Sequence, residues 1–173
     1  MTDRPRVSFP TLDPLRAFCF FSVFLYHGFF SENPAITGDS AWRTVKLDIF
    51  GNGNIGVNVF FVLSGFLITY LLIVERRYAK KVNVPKFWLR RALRIWPLYY
   101  ACLAFGFLVF PWIKSKLGGV PDESADPLFY VLFLGNFDFL RHGLPDASIL
   151  AVLWSIAVEE QFYLFWPLIM WIV

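Results

Sequence analysis

An arginine and a histidine stand at the two ends of one apolar stretch near the start of the chain. The stretch RAFCFFSVFLYH begins at Arg16 and ends at His27. In an α-helix this spacing makes about three turns, so both side chains lie on one face, about 16 Å apart along the axis. Arginine binds phosphate bidentately, and histidine can accept a proton near neutral pH. The pair could hold two ends of one elongated ligand. Alternatively, Arg16 reaches the lipid headgroups and His27 lies at the opposite interface.

A second candidate is the basic stretch RRALR. Arg91 and Arg94 stand three positions apart, so they can share a helical face. Such a pair can bind an anionic ligand at the membrane surface. The alternative is that these arginines only supply the positive charge that flanks a membrane segment on its cytoplasmic side.

A third candidate is the pair of glutamates in WSIAVEEQFY. Glu159 follows Ser155 by four positions and precedes Tyr163 by four, which predicts one polar stripe along a helix. Glu160 points about 100° away from that stripe. Because charge at membrane depth is costly, at least one carboxylate should line a polar interior. If instead the helix begins only near the tryptophan of this stretch, both glutamates lie at its solvated N-terminal end.

Several other kinds of site are excluded by composition. Two cysteines and two histidines, scattered along the chain, do not form a zinc site, so we expect no metal. Neither a glycine-rich phosphate loop nor a G-x-S-x-G motif is present in the sequence. The basic residues cluster beside apolar segments, so membrane topology explains them better than a nucleic-acid partner does.

The elements that would position these residues are apolar helices. Of the 173 residues 57% are hydrophobic and only 17% are charged, against about a quarter charged in an ordinary soluble domain. The run Ile55 to Val74 has no charge and is long enough to cross a bilayer. Other apolar stretches lie at 14–30, 95–113 and 149–173, with a shorter one at 128–140. The sequence therefore predicts an all-α, polytopic transmembrane bundle with about four or five membrane segments.

Charge sets the expected orientation. The stretch 75–94 holds eight Lys or Arg and one Glu, which predicts a cytoplasmic loop and, two spans earlier, a cytoplasmic N-terminus. The aromatic residues of WPLYY, 96–100, would then mark the inner end of the third span, with the proline in its first turn. No signal-peptidase site follows the first apolar stretch, which favours an uncleaved first span.

The chain stops at Val173 inside an apolar run with no flanking charge. We therefore expect residues 1–173 to be the N-terminal part of one membrane domain that is truncated at its C-terminal end.

Four stretches together resemble the signature blocks of acyltransferase family 3, a family of bacterial integral membrane acyltransferases. In order they are LDPLRAFCFFSVFLYH, GVNVFFVLSGFLIT, FWLRRALRIWPLYY and WSIAVEEQFYLFWPL, and they span most of residues 11–168. The last block departs slightly, because Ile156 takes a place that leucine usually holds. Members of the family have about ten spans and move an acyl group, commonly acetyl, from cytoplasmic acyl-CoA to a hydroxyl of a carbohydrate or glycosylated acceptor.

The resemblance implies a role for each candidate. Arg16, Arg91 and Arg94 would bind the phosphorylated end of acyl-CoA, which acts as co-substrate. His27 would be catalytic, either as the general base for the acceptor hydroxyl or through a covalent acyl-histidine. Glu159 would orient His27 or hold the acceptor.

The predicted location is the inner, cytoplasmic membrane, with the lipid bilayer and a carbohydrate or glycolipid acceptor as partners. Two other functions stay open on the sequence alone. A transporter or flippase for a glycolipid would also place charged residues inside a bundle, without any need for acyl-CoA. In a non-catalytic membrane scaffold, His27 and Glu159 would be replaceable.

Overall fold

A computed structural model describes residues 9, 12–29 and 53–172 of the chain. Within these residues the secondary structure is helical and includes no strand, which confirms the all-α prediction. The helices are α1 Leu12–Phe29, α2 Gly53–Ala79, α3 Val84–Ala104, α4 Phe110–Lys116, α5 Pro127–Val131, α6 Gly135–His142 and α7 Ser148–Ile172, with a π-helical segment Phe105–Val109 joining α3 to α4.

Three helices of the described part are long and apolar enough to cross a membrane. They are Ile55–Ala79, Val84–Lys116 and Ser148–Ile172. The first contains the span predicted at 55–74, and the second contains the one predicted at 95–113. The last covers the span predicted at 149–173 except for its final residue, which lies outside the described part. Helix α1 lies where the first span is predicted, but it is not among these three.

The chain forms two compact units, Met1–Val74 and Glu75–Val173. In the first unit α1 and α2 approach closely at Gly56. A Cβ atom at this position would lie 3.0 Å from Val23 Cγ2 and 3.2 Å from the carbonyl oxygen of Cys19, which is itself buried. Glycine permits this approach, as small residues commonly do between membrane helices.

In the second unit α3 and α7 pack side by side in opposite directions. Their contact buries Tyr99 and Leu103 of α3 against Leu150 and Leu153 of α7. The same cluster includes Tyr130, whose carbonyl oxygen accepts a hydrogen bond of 2.7 Å from the Tyr99 hydroxyl. Tyr99 is 1% exposed. Its predicted place in an interfacial aromatic belt is therefore wrong, because its ring is part of the core.

Two sequence-based boundaries are also wrong. The stretch 75–94 is mostly helical, since α2 continues to Ala79 and α3 begins at Val84. Asn83 starts α3 early, because its side-chain oxygen accepts a hydrogen bond from the Lys86 N–H at 3.1 Å and Pro85 fits the first turn. Consequently, the arginines of RRALR lie on the helix itself, and Pro97 lies inside α3 rather than in its first turn.

The short apolar stretch at 128–140 forms two short helices, α5 and α6. Asp126 caps α5, because its carboxylate accepts a hydrogen bond of 2.9 Å from the Leu128 N–H. The two helices are joined by a turn in which Phe133 has a φ of 56°. This left-handed conformation is costly for a bulky side chain, and the turn packs against the middle of the unit.

Candidate functional site

An arginine, a tyrosine and a glutamate form a connected group between α3 and α7. The guanidinium carbon of Arg91 lies 5.4 Å from the centroid of the Tyr163 ring and 5.6 Å from that of Phe87. The Tyr163 hydroxyl in turn donates a hydrogen bond of 3.0 Å to Glu159 Oε2. Both rings are buried, so they hold the guanidinium by cation–π contact. The alternative that these arginines only supply flanking positive charge is not tested by these contacts, and the ligand-binding role of Arg91 stays a prediction.

The backbone beside this group is fixed by a tryptophan. Trp88 Nε1 donates a hydrogen bond of 3.1 Å to the carbonyl oxygen of Tyr163. Trp88 and Arg91 are three positions apart and lie on the same face of α3. Therefore, one face of α3 sets both the position of the arginine and the register of α7 against it.

Glu159 and Glu160 lie at the middle of α7, which begins at Ser148 and ends at Ile172. The alternative that both glutamates lie at a solvated helix N-terminus is therefore wrong. The stripe predicted from spacing is confirmed in part. Tyr163 bonds to Glu159, whereas the Ser155 hydroxyl donates to the carbonyl oxygen of Val152.

Arg94 is exposed, one turn further along α3 than Arg91. The three-residue spacing puts the two side chains on adjoining parts of one helical surface. Arg91 is half-buried between rings, and Arg94 is open to a ligand or to lipid headgroups.

Comparison with known proteins identifies the family. A family model described as an acyltransferase domain matches residues 9–173. The chain belongs to acyltransferase family 3.

Two curated relatives in this family show the similarity in detail. The chain is 35% identical over 170 residues to the peptidoglycan O-acetyltransferase OatA of Listeria monocytogenes, covering 91% of this chain and 23% of the relative. It is 32% identical over 168 residues to the O-acetyltransferase OatA of Staphylococcus aureus, covering 92% of this chain and 24% of the relative. The chain thus spans about a quarter of the length of these relatives. No solved structure gives a significant match.

Two of the predicted site residues of this acyltransferase-family chain lie on α1. Arg16 and His27 both fall within the continuous helix Leu12–Phe29, so the premise that one helix carries them is confirmed. Their separation along the axis is then about 16 Å. Their side chains lie outside the part of the chain that the structure describes, and their roles stay predictions.

Sequence reasoning missed the partner of Glu160. Trp96 Nε1 donates a hydrogen bond of 3.1 Å to Glu160 Oε2 across 64 positions of sequence. The sequence predicts Trp96 in an interfacial aromatic belt, and helical spacing predicts that Glu160 points about 100° away from the stripe that includes Glu159. Only the long-range packing of α3 on α7 brings these two side chains together.

A pair of amides next to the glutamates was missed as well. Gln161 Nε2 donates to the Phe133 carbonyl oxygen at 2.8 Å and to Asn136 Oδ1 at 2.9 Å. The available signal was polar composition, since both amides interrupt apolar runs. Together with the glutamates they form a polar centre halfway along α7.

A separate polar network connects the end of α4 and the loop that follows it to the start of α7. Lys114 Nζ lies 2.6 Å from Asp146 Oδ1. The hydrogen bond from Lys114, followed by one from the Asp122 N–H, lowers the pKa of Asp146. Glu123 accepts hydrogen bonds from the N–H groups of Asp146 and Ala147 and so caps the start of α7.

Next to this network, burial raises the pKa of Tyr130 to about 12, with smaller contributions from the charges of Asp138 and Glu123. Tyr130 is therefore a neutral core group. Among the described residues no group of three or more His, Cys, Asp or Glu side chains could hold a metal ion.

Proposed function

We propose that the protein is an integral membrane acyltransferase that moves an acetyl group from cytoplasmic acyl-CoA to a hydroxyl of a carbohydrate, with peptidoglycan as the acceptor. Family membership supports the type of reaction. The similarity to the Listeria relative, which is named a peptidoglycan O-acetyltransferase, supports the acceptor. Three apolar helices support a place in the membrane, and the basic stretch at 75–94 supports a cytoplasmic side for its end of the bundle.

The observation that carries the proposal is the link between Arg91 and Glu159 through Tyr163. These residues come from two separate signature blocks, yet the Tyr163 ring contacts the guanidinium and its hydroxyl donates to the carboxylate. A cation held rigidly beside a polar centre suits a ligand with an anionic end and a neutral reactive end. Acyl-CoA has this form, with phosphates at one end and the thioester at the other.

The arginines are assigned to the phosphates. Guanidinium groups match phosphate oxygens bidentately, and the cation–π contacts of Arg91 fix its plane in advance. Arg94 is exposed one turn away and adds a second charge. Arg16 is assigned to the same ligand by the family motif alone.

His27 is assigned to the chemical step. As general base it would accept the proton of the acceptor hydroxyl while that oxygen attacks the thioester carbonyl, and the proton would finally reside on the departing CoA thiol. The acyl-histidine route remains the competing mechanism. The role of Glu159, which either orients His27 or holds the acceptor, stays a prediction.

Transfer of label tests the proposal. Membrane vesicles that expose their cytoplasmic face and contain the full-length protein would receive acetyl-labelled acetyl-CoA, and label would be followed into glycan and lipid fractions. We expect label in the peptidoglycan fraction, and none in vesicles that lack the protein. A glycolipid flippase instead predicts lipid movement that does not depend on acetyl-CoA. Glycan acetylation that persists without acetyl-CoA would refute the assigned donor.

A further inference from the structure

Glu160 carries a buried oxygen that the proposed mechanism does not use. Its Oε2 atom accepts the hydrogen bond from Trp96, whereas Oε1 is fully buried and has no hydrogen-bond partner in the described part of the chain. Buried polar atoms in proteins are nearly always bonded, so each exception needs an explanation. The position is also unusual, because Glu160 lies at the midpoint of a membrane-spanning helix, where a carboxyl group is costly.

The surroundings of Glu160 are fixed in advance. The Phe133 ring stacks on Tyr99 at 4.3 Å and lies 5.7 Å from the ring of Trp96, the residue that bonds to Glu160. Phe133 holds its ring there although its backbone is in the left-handed region. Such strain persists only where the neighbouring structure imposes it, and it is concentrated at functional sites.

Three side chains impose this conformation on the turn. The carbonyl oxygens of Tyr130, Val131 and Phe133 accept hydrogen bonds from Tyr99 (2.7 Å), Tyr100 (3.1 Å) and Gln161 (2.8 Å), respectively. The donors come from both α3 and α7. The turn is therefore held on two sides. The Phe133 ring, which packs against Tyr99 and Trp96, cannot move without breaking several of these hydrogen bonds.

We propose that Glu160 Oε1 is a substrate-binding group that accepts a hydrogen bond from a neutral N–H or O–H donor of the substrate. The inference rests on the proposed acyl transfer and adds a binding residue to it. Two sources offer this chemistry, namely the amides of the pantetheine arm of acyl-CoA and the hydroxyl of the acceptor. Trp96 and Tyr100 are 42% and 37% exposed, and their rings would contact the apolar part of either ligand.

The two adjacent glutamates contact different partners. Glu159 is engaged by Tyr163 on the side of Arg91, and Glu160 is engaged by Trp96 through only one of its oxygens. Since consecutive residues on a helix point about 100° apart, the two carboxyl groups face different parts of the unit and serve different contacts.

Equilibrium binding tests this inference apart from catalysis. Full-length wild-type protein and Glu160→Gln would be titrated with acetyl-CoA and, separately, with soluble peptidoglycan fragments. The amide variant keeps an acceptor for Trp96 and replaces the other oxygen with a donor. We expect the Kd of one probe to rise about 10- to 100-fold, the range for a hydrogen bond to a charged group. A rise for acetyl-CoA identifies the pantetheine amide, and a rise for the fragments identifies the hydroxyl.

Glu75→Gln is the matched control, since it makes the same chemical change close to the last turn of α2. It should leave both Kd values unchanged. If both probes bind Glu160→Gln as tightly as wild type, the inference is wrong, whatever the label-transfer assay gives. If label transfer fails while Glu160→Gln weakens binding, the proposed function fails and the binding role stands.

Should Glu160→Gln not fold, the wild-type protein would be titrated with acetyl-pantetheine methylated on its amide nitrogens and with O-methylated fragments. Affinity equal to that of the unmethylated parents for both would overturn the inference.

Discussion

Gln161 offers the sharpest test of how the polar centre is held together. Its amide nitrogen donates to the Phe133 carbonyl oxygen at 2.8 Å and to Asn136 Oδ1 at 2.9 Å. The reverse bond, from Asn136 Nδ2 to Gln161 Oε1, is 3.5 Å long and weak. Replacing Gln161 with methionine keeps the approximate volume of the side chain and removes both good hydrogen bonds.

The expected loss follows from those two bonds. A buried acceptor left without its donor costs about 1–3 kcal/mol, but hydrogen bonds between membrane helices average only about 0.6 kcal/mol and reach about 1.7. Phe133 and Asn136, which each lose a hydrogen-bond donor, are half-buried. We therefore assign a cost of about 1 kcal/mol to the loss of each bond. No cavity term is added, because the volume is conserved. Gln161→Met should therefore lower the free energy of unfolding by about 2 kcal/mol.

The assay is reversible unfolding of the full-length protein in mixed micelles, followed by tryptophan fluorescence. Leu164→Met is the matched control, because it introduces the same side chain on α7 at a position that is 49% exposed. It should change the free energy of unfolding by less than about 0.5 kcal/mol. If Gln161→Met also falls within about 0.5 kcal/mol of wild type, the two hydrogen bonds do not stabilise the Phe133 turn and the reasoning is refuted.

Three other substitutions test separate parts of the structure. Gly106→Ala would put a Cβ atom 2.6 Å from Leu150 Cγ, in a buried contact. The same assay should show a free energy of unfolding that is lower by about 1–3 kcal/mol. An unchanged free energy of unfolding would contradict the close packing of α7 on this glycine. The hydrogen bond from Lys114 lowers the pKa of Asp146. The contribution of Asp146 to the free energy of unfolding is therefore fully present above its ordinary pKa of 3.8. That contribution is lost as the pH falls through the lower pKa of the folded protein. The stability difference between wild type and Asp146→Asn should be constant above about pH 5 and shrink below it, and a difference that grows on acidification would contradict this. Arg91→Lys keeps the charge but loses the planar stacking, so the KM for acetyl-CoA should rise about tenfold, whereas an unchanged KM would remove Arg91 from the binding site.

The spans could largely be read from the sequence, because uncharged runs of sufficient length have few alternatives to a membrane helix. The start of α3 was missed for a physical reason. Dense positive charge at 75–94 indicated a loop, but lysine and arginine are good helix formers, and the Asn83 cap with Pro85 decided the boundary. Local capping outweighed the average charge of the segment.

The candidate site was predictable only where its contacts are local. The bond between Glu159 and Tyr163 joins residues four apart and follows from helical spacing. The bond between Trp96 and Glu160 joins residues 64 apart and depends on the register of α3 against α7. The left-handed turn at Phe133 has no local signature either, since phenylalanine does not favour that conformation.

The central claim is that His27 carries the acyl transfer. The most direct measurement compares the full-length wild-type protein with His27→Ala in vesicles that receive labelled acetyl-CoA on the cytoplasmic face, after equal insertion of both has been confirmed. We predict label in the glycan fraction with wild type and none above background with His27→Ala. Equal transfer by the two proteins would contradict the account and remove His27 from the catalytic step.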